Sequence, residues 1–86
     1  MKPLSADDFR EAIRRRFAFA ERLGKAAIEI NSGNLHRELG AYPGPNHSMP
    51  TCCNMMREAM AGRDVVLSEP PKGRGATLTI RYTLPR

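Results

Sequence analysis

Tryptophan is absent from this chain, and its aromatic residues are three Phe and two Tyr among 86 positions. A core therefore has to be assembled from Leu, Ile, Val, Met and Cys with the few Phe, which suits one small domain over 1–86 and little more. Cysteine is also scarce. Cys52 and Cys53 are adjacent, a poor arrangement for a structural disulfide, so reduced thiols in a cytoplasmic protein are the expectation. No apolar stretch follows Met1 that would serve as a signal-peptide core, and no run is long enough to cross a bilayer. The chain is thus expected to be soluble, with no membrane partner. Acid is the minority charge: nine Asp and Glu stand against fourteen Lys and Arg, a formal +5. That balance favours polyanionic partners such as nucleic acid.

What is present falls into short, well-punctuated segments. Ser5 with Asp8 three residues on resembles a capping box, and Phe9, Ile13, Phe17, Ala20 and Leu23 recur at helical spacing before Gly24. Arg14, Arg15 and Arg16 lie on other faces; neighbours about 100° apart cannot form one compact patch, so a solvated face is expected, with Glu11 placed to meet Arg15. Residues 26–30 predict a short edge strand carrying Ile28 and Ile30. Asn31 or Ser32 would cap a second helix whose Leu35 and Leu39 face inward, with His36, Arg37 and Glu38 elsewhere and Gly40 closing it. Residues 42–46 are too rich in Pro and Gly for regular structure. Pro50 opens a third helix to about Ala61, capped by Ser48 or entered through Met49. Its apolar side takes one of Cys52 and Cys53, with Met56 and Ala59 or Met60.

The last third predicts a hairpin. Residues 64–68 form one strand and 76–84 the other, in which Leu78, Ile80, Tyr82 and Leu84 alternate with Thr77, Thr79, Arg81 and Thr83. The stretch 69–75 between them is Pro- and Gly-rich and continues neither strand. From Pro70 to Arg86 there are four cations, Lys72, Arg74, Arg81 and Arg86, and no acid. The resulting class is α+β, three helices packed on a small antiparallel β-hairpin sheet.

That order of helix, strand, helix, helix, strand, turn, strand resembles the winged helix-turn-helix family over nearly the whole chain. The resemblance implies a recognition helix at about 50–61, a wing at 69–75 and double-stranded DNA as partner. One departure is the connection 40–49, longer and more proline-rich than the tight turn of the standard motif, which affects the angle between helices two and three. The phrase from Gly40 through Tyr42, Asn46 and His47 to Cys53 also resembles small bacterial modules found near restriction and mobile-element nucleases. It implies a DNA-binding accessory to such a system.

On that reading the start of the third helix approaches the major groove, where a few side chains reach base edges. Asn54 would pair with an adenine edge, Thr51 with a phosphate or a thymine methyl, and Arg57 with guanine or phosphate. The plain alternative is that all three are ordinary solvent-facing residues. His47 and Ser48 precede the helix, where free N–H groups favour a phosphate; they would equally serve as a cap, and the cap is the preferred account. Lys72 and Arg74 at the hairpin tip would hold phosphates or enter the minor groove. Their alternative role is a charged turn that discourages edge pairing.

Metal binding and catalysis find little footing. Structural zinc requires four convergent ligands, whereas adjacent cysteines on a helix diverge, and His36 and His47 are the only histidines. A Cys–His nucleophile pair needs a low-pKa thiolate in a pocket. The segment 73–75 leads into a strand and not into a helix, unlike a phosphate-cradling loop. A non-enzyme without a cofactor is expected. The competing reading is a small interaction adaptor or inhibitor, phage- or defence-related, docking onto a larger protein complex. Met49, Met55 and Tyr42 exposed together would favour it; Lys72, Arg74 and Arg57 gathered with the start of the third helix would favour DNA.

Overall fold

In the computed structural model, residues 4–40, 42, 44 and 47–86 are described. The first helix, α1 (Ala6–Arg22), begins as its sequence predicts: the Asp8 N–H donates to Ser5 Oγ at 3.3 Å and the Ser5 N–H to Asp8 Oδ2 at 2.8 Å. Its stripe buries Phe9, Ala12, Ile13 and Ala20 and half-buries Phe17. Leu23 departs from expectation. It caps the helix outside the helical period, the chain turns at Gly24 (φ +75°), and its side chain is left exposed.

β1 (Ala27–Asn31) follows at the sheet edge, then α2 (Ser32–Leu39), α3 (Met49–Glu58), β2 (Val65–Ser68) and β3 (Thr79–Thr83). The sheet order is β1-β3-β2, antiparallel throughout, so the last strand is central. Ile28 pairs with Tyr82 and Ile30 with Ile80, while Glu29 pairs with Arg81 on the outer face. Leu78, Ile80, Tyr82 and Leu84 are all buried, as the alternation requires. Leu78, Ile80 and Tyr82 meet Phe9, Ile13, Leu35, Met49 and Met56 in one core between the helices and the sheet. The α+β class with three helices and a small antiparallel sheet is therefore observed. No described helix is long and apolar enough to cross a membrane.

Three elements are shorter than their sequence patterns suggest, and the causes are visible. α3 stops at Glu58 rather than Ala61 because side chains of the last strand and the C-terminal residue take its final carbonyls. The Tyr82 hydroxyl donates to the Met56 carbonyl at 2.7 Å, and Arg86 donates to that of Ala59. The chain then turns around Asp64, whose side chain is 1% exposed. Its carboxylate accepts from the N–H groups of Ala61 and Thr83 and from Arg86, each at 2.7 Å. Burial alone would raise the Asp64 pKa; these donors more than offset it, and the carboxyl sits below its ordinary value. This use of Asp64 is why β2 begins at Val65. Arg86, stacked over Phe17 and Tyr82 at 4.9 and 5.5 Å, belongs to the same corner.

β3 begins at Thr79 rather than Ala76 because the residues before it bond to α2. The N–H of Ser32 donates to the Leu78 carbonyl at 2.8 Å and that of Gly33 to the Ala76 carbonyl at 3.1 Å. An irregularity between Val66 and Ser68 shifts the β2–β3 register, so that Val66 pairs with Ile80 and Ser68 with Thr79.

Candidate nucleic-acid interface

The long connection between α2 and α3 lies partly outside the described residues, at 41, 43, 45 and 46. Its two ends are nonetheless joined by one side chain. His36, expected to face away from the core, is fully buried. Its Nε2 accepts from the Ser48 N–H at 2.8 Å, and its Nδ1 lies 3.0 Å from the Gly40 carbonyl. An acceptor at Nε2 and a carbonyl at Nδ1 place the hydrogen on Nδ1. His36 thus bonds to the cap of α2 and to the residue preceding α3, and it packs edge-on against Phe9 at 5.1 Å. A histidine in a helix's last turn can serve its final carbonyls, the one sequence signal that pointed this way.

The start of α3 is capped, but not by the Ser48 side chain. The Met49 N–H donates to His47 Nδ1 at 3.2 Å. Ser48 has given its N–H to His36, and Pro50 has none. Among the described residues this leaves the Thr51 N–H as the donor of that first turn without a partner. His47 is exposed and packs against Tyr42, with ring centroids 5.7 Å apart; Arg37, also exposed, lies over the Tyr42 ring at 5.5 Å. Arg37 is a cation beside the start of α3 that its position in the sequence gave no reason to single out.

Further along α3, Thr51, Asn54 and Arg57 follow each other by three residues, within a band of about 120° of the helix surface. Asn54 is exposed and Thr51 half-buried. Arg57 is occupied within the fold: its Nη2 donates to the Gly73 carbonyl at 2.9 Å and lies 3.2 Å from Glu69 Oε1. It braces the segment 69–75 against α3.

That segment is a folded loop. Pro70 is buried beneath Gly75, the Gly73 N–H donates to the Pro70 carbonyl at 2.9 Å, and Gly73 takes φ +79°. The Gly75 carbonyl anchors its return leg, accepting from Ser32 Oγ at 2.5 Å and from Cys53 Sγ at 3.4 Å. Lys72 and Arg74 project from this loop, both exposed and neither in a salt bridge among the described residues. Glu69, the nearest acid in sequence, is held by Arg57.

The question of which cysteine is buried resolves to both. Cys52 faces the Ser32 carbonyl at 3.7 Å and Cys53 that of Gly75 at 3.4 Å. Burial, with the adjacent Cys53, pushes the Cys52 pKa up to about 12; burial also raises that of Cys53, opposed by its hydrogen bonds to Ser32 and Gly75. Neither thiol is the exposed partner that a redox switch requires.

The arginine run of α1 is dispersed as expected: Arg15 pairs with Glu11 at 3.3 Å, Arg16 with Glu38 of α2, and Arg14 is exposed. Comparison with family models, with curated proteins and with solved structures finds no match to this chain.

Proposed function

We propose that this chain is a non-catalytic winged-helix domain that binds duplex DNA. The reading assigns α3 to the major groove and the loop 69–75 to the backbone or the minor groove. The observation that carries it is the charge state of that loop: Lys72 and Arg74 stand exposed while the acid beside them, Glu69, is engaged by Arg57. Cations held ready on a braced loop lose little freedom on meeting phosphates. The reading also draws on the order helix, strand, helix, helix, strand, strand, on which the resemblance to the winged-helix family rests.

In this reading the proposed residues divide by role. Lys72 and Arg74 contact phosphate, Asn54 and Thr51 face the bases or backbone, and His47 and Ser48 shape the helix start. Arg57 positions the wing, and Arg37 adds a cation near His47. The buried, protonated thiols offer no nucleophile, in keeping with a binding role. The competing adaptor reading drew on Met49, Met55 and Tyr42 as a shared apolar face, and it has less support there, because Met49 is only 3% exposed.

Binding to a random-sequence duplex across a salt series tests the proposal. Affinity should fall steeply with salt, and Lys72→Ala with Arg74→Ala should reduce the log–log slope by about 1 to 2. Absence of binding at low salt would sink it.

A further inference from the structure

The largest exposed apolar side chains at the C-terminal end of α1 and its cap point to a second surface that shares no residue with α3 or the loop 69–75. Phe19 and Leu23 are each 59% exposed. Phe19 sits between two adjoining grooves, one running toward α2 over Ile28 and Leu39, the other along β1 past Leu23 and Ala27. Ile28 lines both, so the grooves meet where α1 crosses the edge strand. Among the described residues the outer edge of β1 is unpaired, since β3 occupies its other side. Large exposed apolar side chains clustered beside recessed ones mark an interaction site rather than an ordinary solvated face.

Charge selects the occupant. Five cations border the two grooves, Arg15, Arg16, Arg22, Lys25 and Arg81, against two acids, Glu29 and Glu38. Arg15 and Arg16 are paired with Glu11 and Glu38, while Arg22, Lys25 and Arg81 form no salt bridge among the described residues. A second copy of this chain would set like fields against each other. A phosphate backbone offers nothing to an apolar floor. A bilayer surface would not fill a recess whose base is Ile28 and Leu39.

We propose that this groove docks an acidic segment of a partner protein, with an apolar side chain seated on Phe19, Ile28 and Leu39 and carboxylates meeting Arg22, Lys25 and Arg81. The segment would lie along the junction of α1 and β1. Its apolar anchor supplies most of the affinity, and the cationic rim selects acidic sequences and speeds their encounter.

The test is selection of a display library of random linear peptides on the immobilised protein. Selected peptides should combine acidic residues with a Leu, Phe or similar anchor. They should bind roughly tenfold or more weakly to Phe19→Ser, with parallel losses for Leu23→Ser and for Arg22→Glu with Lys25→Glu. Because these side chains are exposed, the variants should keep the wild-type circular dichroism, and Leu23→Ser serves if Phe19→Ser does not. Duplex binding, if present, should be unaltered by Phe19→Ser, which separates this surface from the DNA reading. Failure to select any peptide, selection of peptides without acids, or retention of binding in these variants would overturn the proposal. So would Phe19-dependent self-association in sedimentation, or Phe19-dependent binding to vesicles of phosphatidylserine and phosphatidylcholine.

Discussion

Single side chains fix the geometry that backbone pattern leaves open, and His36 does the most. Helices joined by a long Pro- and Gly-rich connection have no intrinsic crossing angle, yet one imidazole bonds to Gly40 on one side and to Ser48 on the other. Removing it leaves a half-buried carbonyl and a half-buried N–H without their partner, together with a cavity beside Phe9. We expect His36→Ala to cost about 2–4 kcal/mol, lowering Tm by more than about 8 °C in a domain of this size. A thermal melt within a degree or two of wild type would contradict that role. The cysteines illustrate the same scale in the opposite sense: adjacent residues on a helix usually diverge toward one buried and one exposed side chain, but here α2 and the leg at Gly75 cover both.

Among the elements, the places where strand and helix end differ from the sequence periodicity are places where another element has claimed the backbone. The alternation of Leu78, Ile80, Tyr82 and Leu84 was legible in full, and so was the capping of α1 by Ser5 and Asp8. Both depend on neighbours close in sequence. The loss of 76–78 from the last strand and of 59–61 from α3 depends on partners far away, Gly33 in the first case and Tyr82 and Arg86 in the second. Gly33 offers a direct check on the first. A Cβ there would lie 2.9 Å from the Ala76 carbonyl oxygen and 3.1 Å from the Ala76 side chain. Because the closest atom is backbone, Gly33→Ala should destabilise by about 1–3 kcal/mol, against the gain of up to about 1 kcal/mol that Ala brings to an unobstructed helix. Chemical denaturation decides the sign, and a stabilised variant would mean that α2 and the 75–78 leg separate freely.

The corner built on Asp64 adds a pH dependence at the same scale. Its folded pKa lies below its unfolded value, so the unfolded chain binds the proton more readily. Its contribution is complete above the unfolded pKa of about 3.9 and is lost as pH falls through the lower folded value. Asp64→Asn should lower stability at neutral pH by about 1–3 kcal/mol and flatten the acid limb of a stability–pH curve. An unchanged acid limb would show that the Thr83, Ala61 and Arg86 contacts carry no such linkage.

Across the whole molecule, a net charge of +5 is distributed unevenly. Eight arginine and lysine side chains that make no salt bridge among the described residues include Lys72 and Arg74 on the loop, Arg37 beside the start of α3, and Arg22, Lys25 and Arg81 around the Phe19 groove. Composition favours a polyanionic partner without saying where one would sit. The sequence singled out Lys72 and Arg74 because they punctuate an acid-free stretch, but it also offered Arg57, whose engagement with Glu69 and Gly73 depends on the folded loop. It was silent on Phe19, whose exposure follows from α1 ending just beyond it and from no strand pairing on the β1 edge among the described residues. The face proposed to meet DNA is carried by α3 and its braced loop. Amide chemical-shift mapping of the isotope-labelled protein with a random-sequence duplex at low salt tests it most directly. The account predicts the largest perturbations at His47, Thr51, Asn54, Lys72 and Arg74, weakened throughout by Lys72→Ala with Arg74→Ala. Perturbations centred on Phe19, Leu23 and Arg81, or none at all, would contradict it.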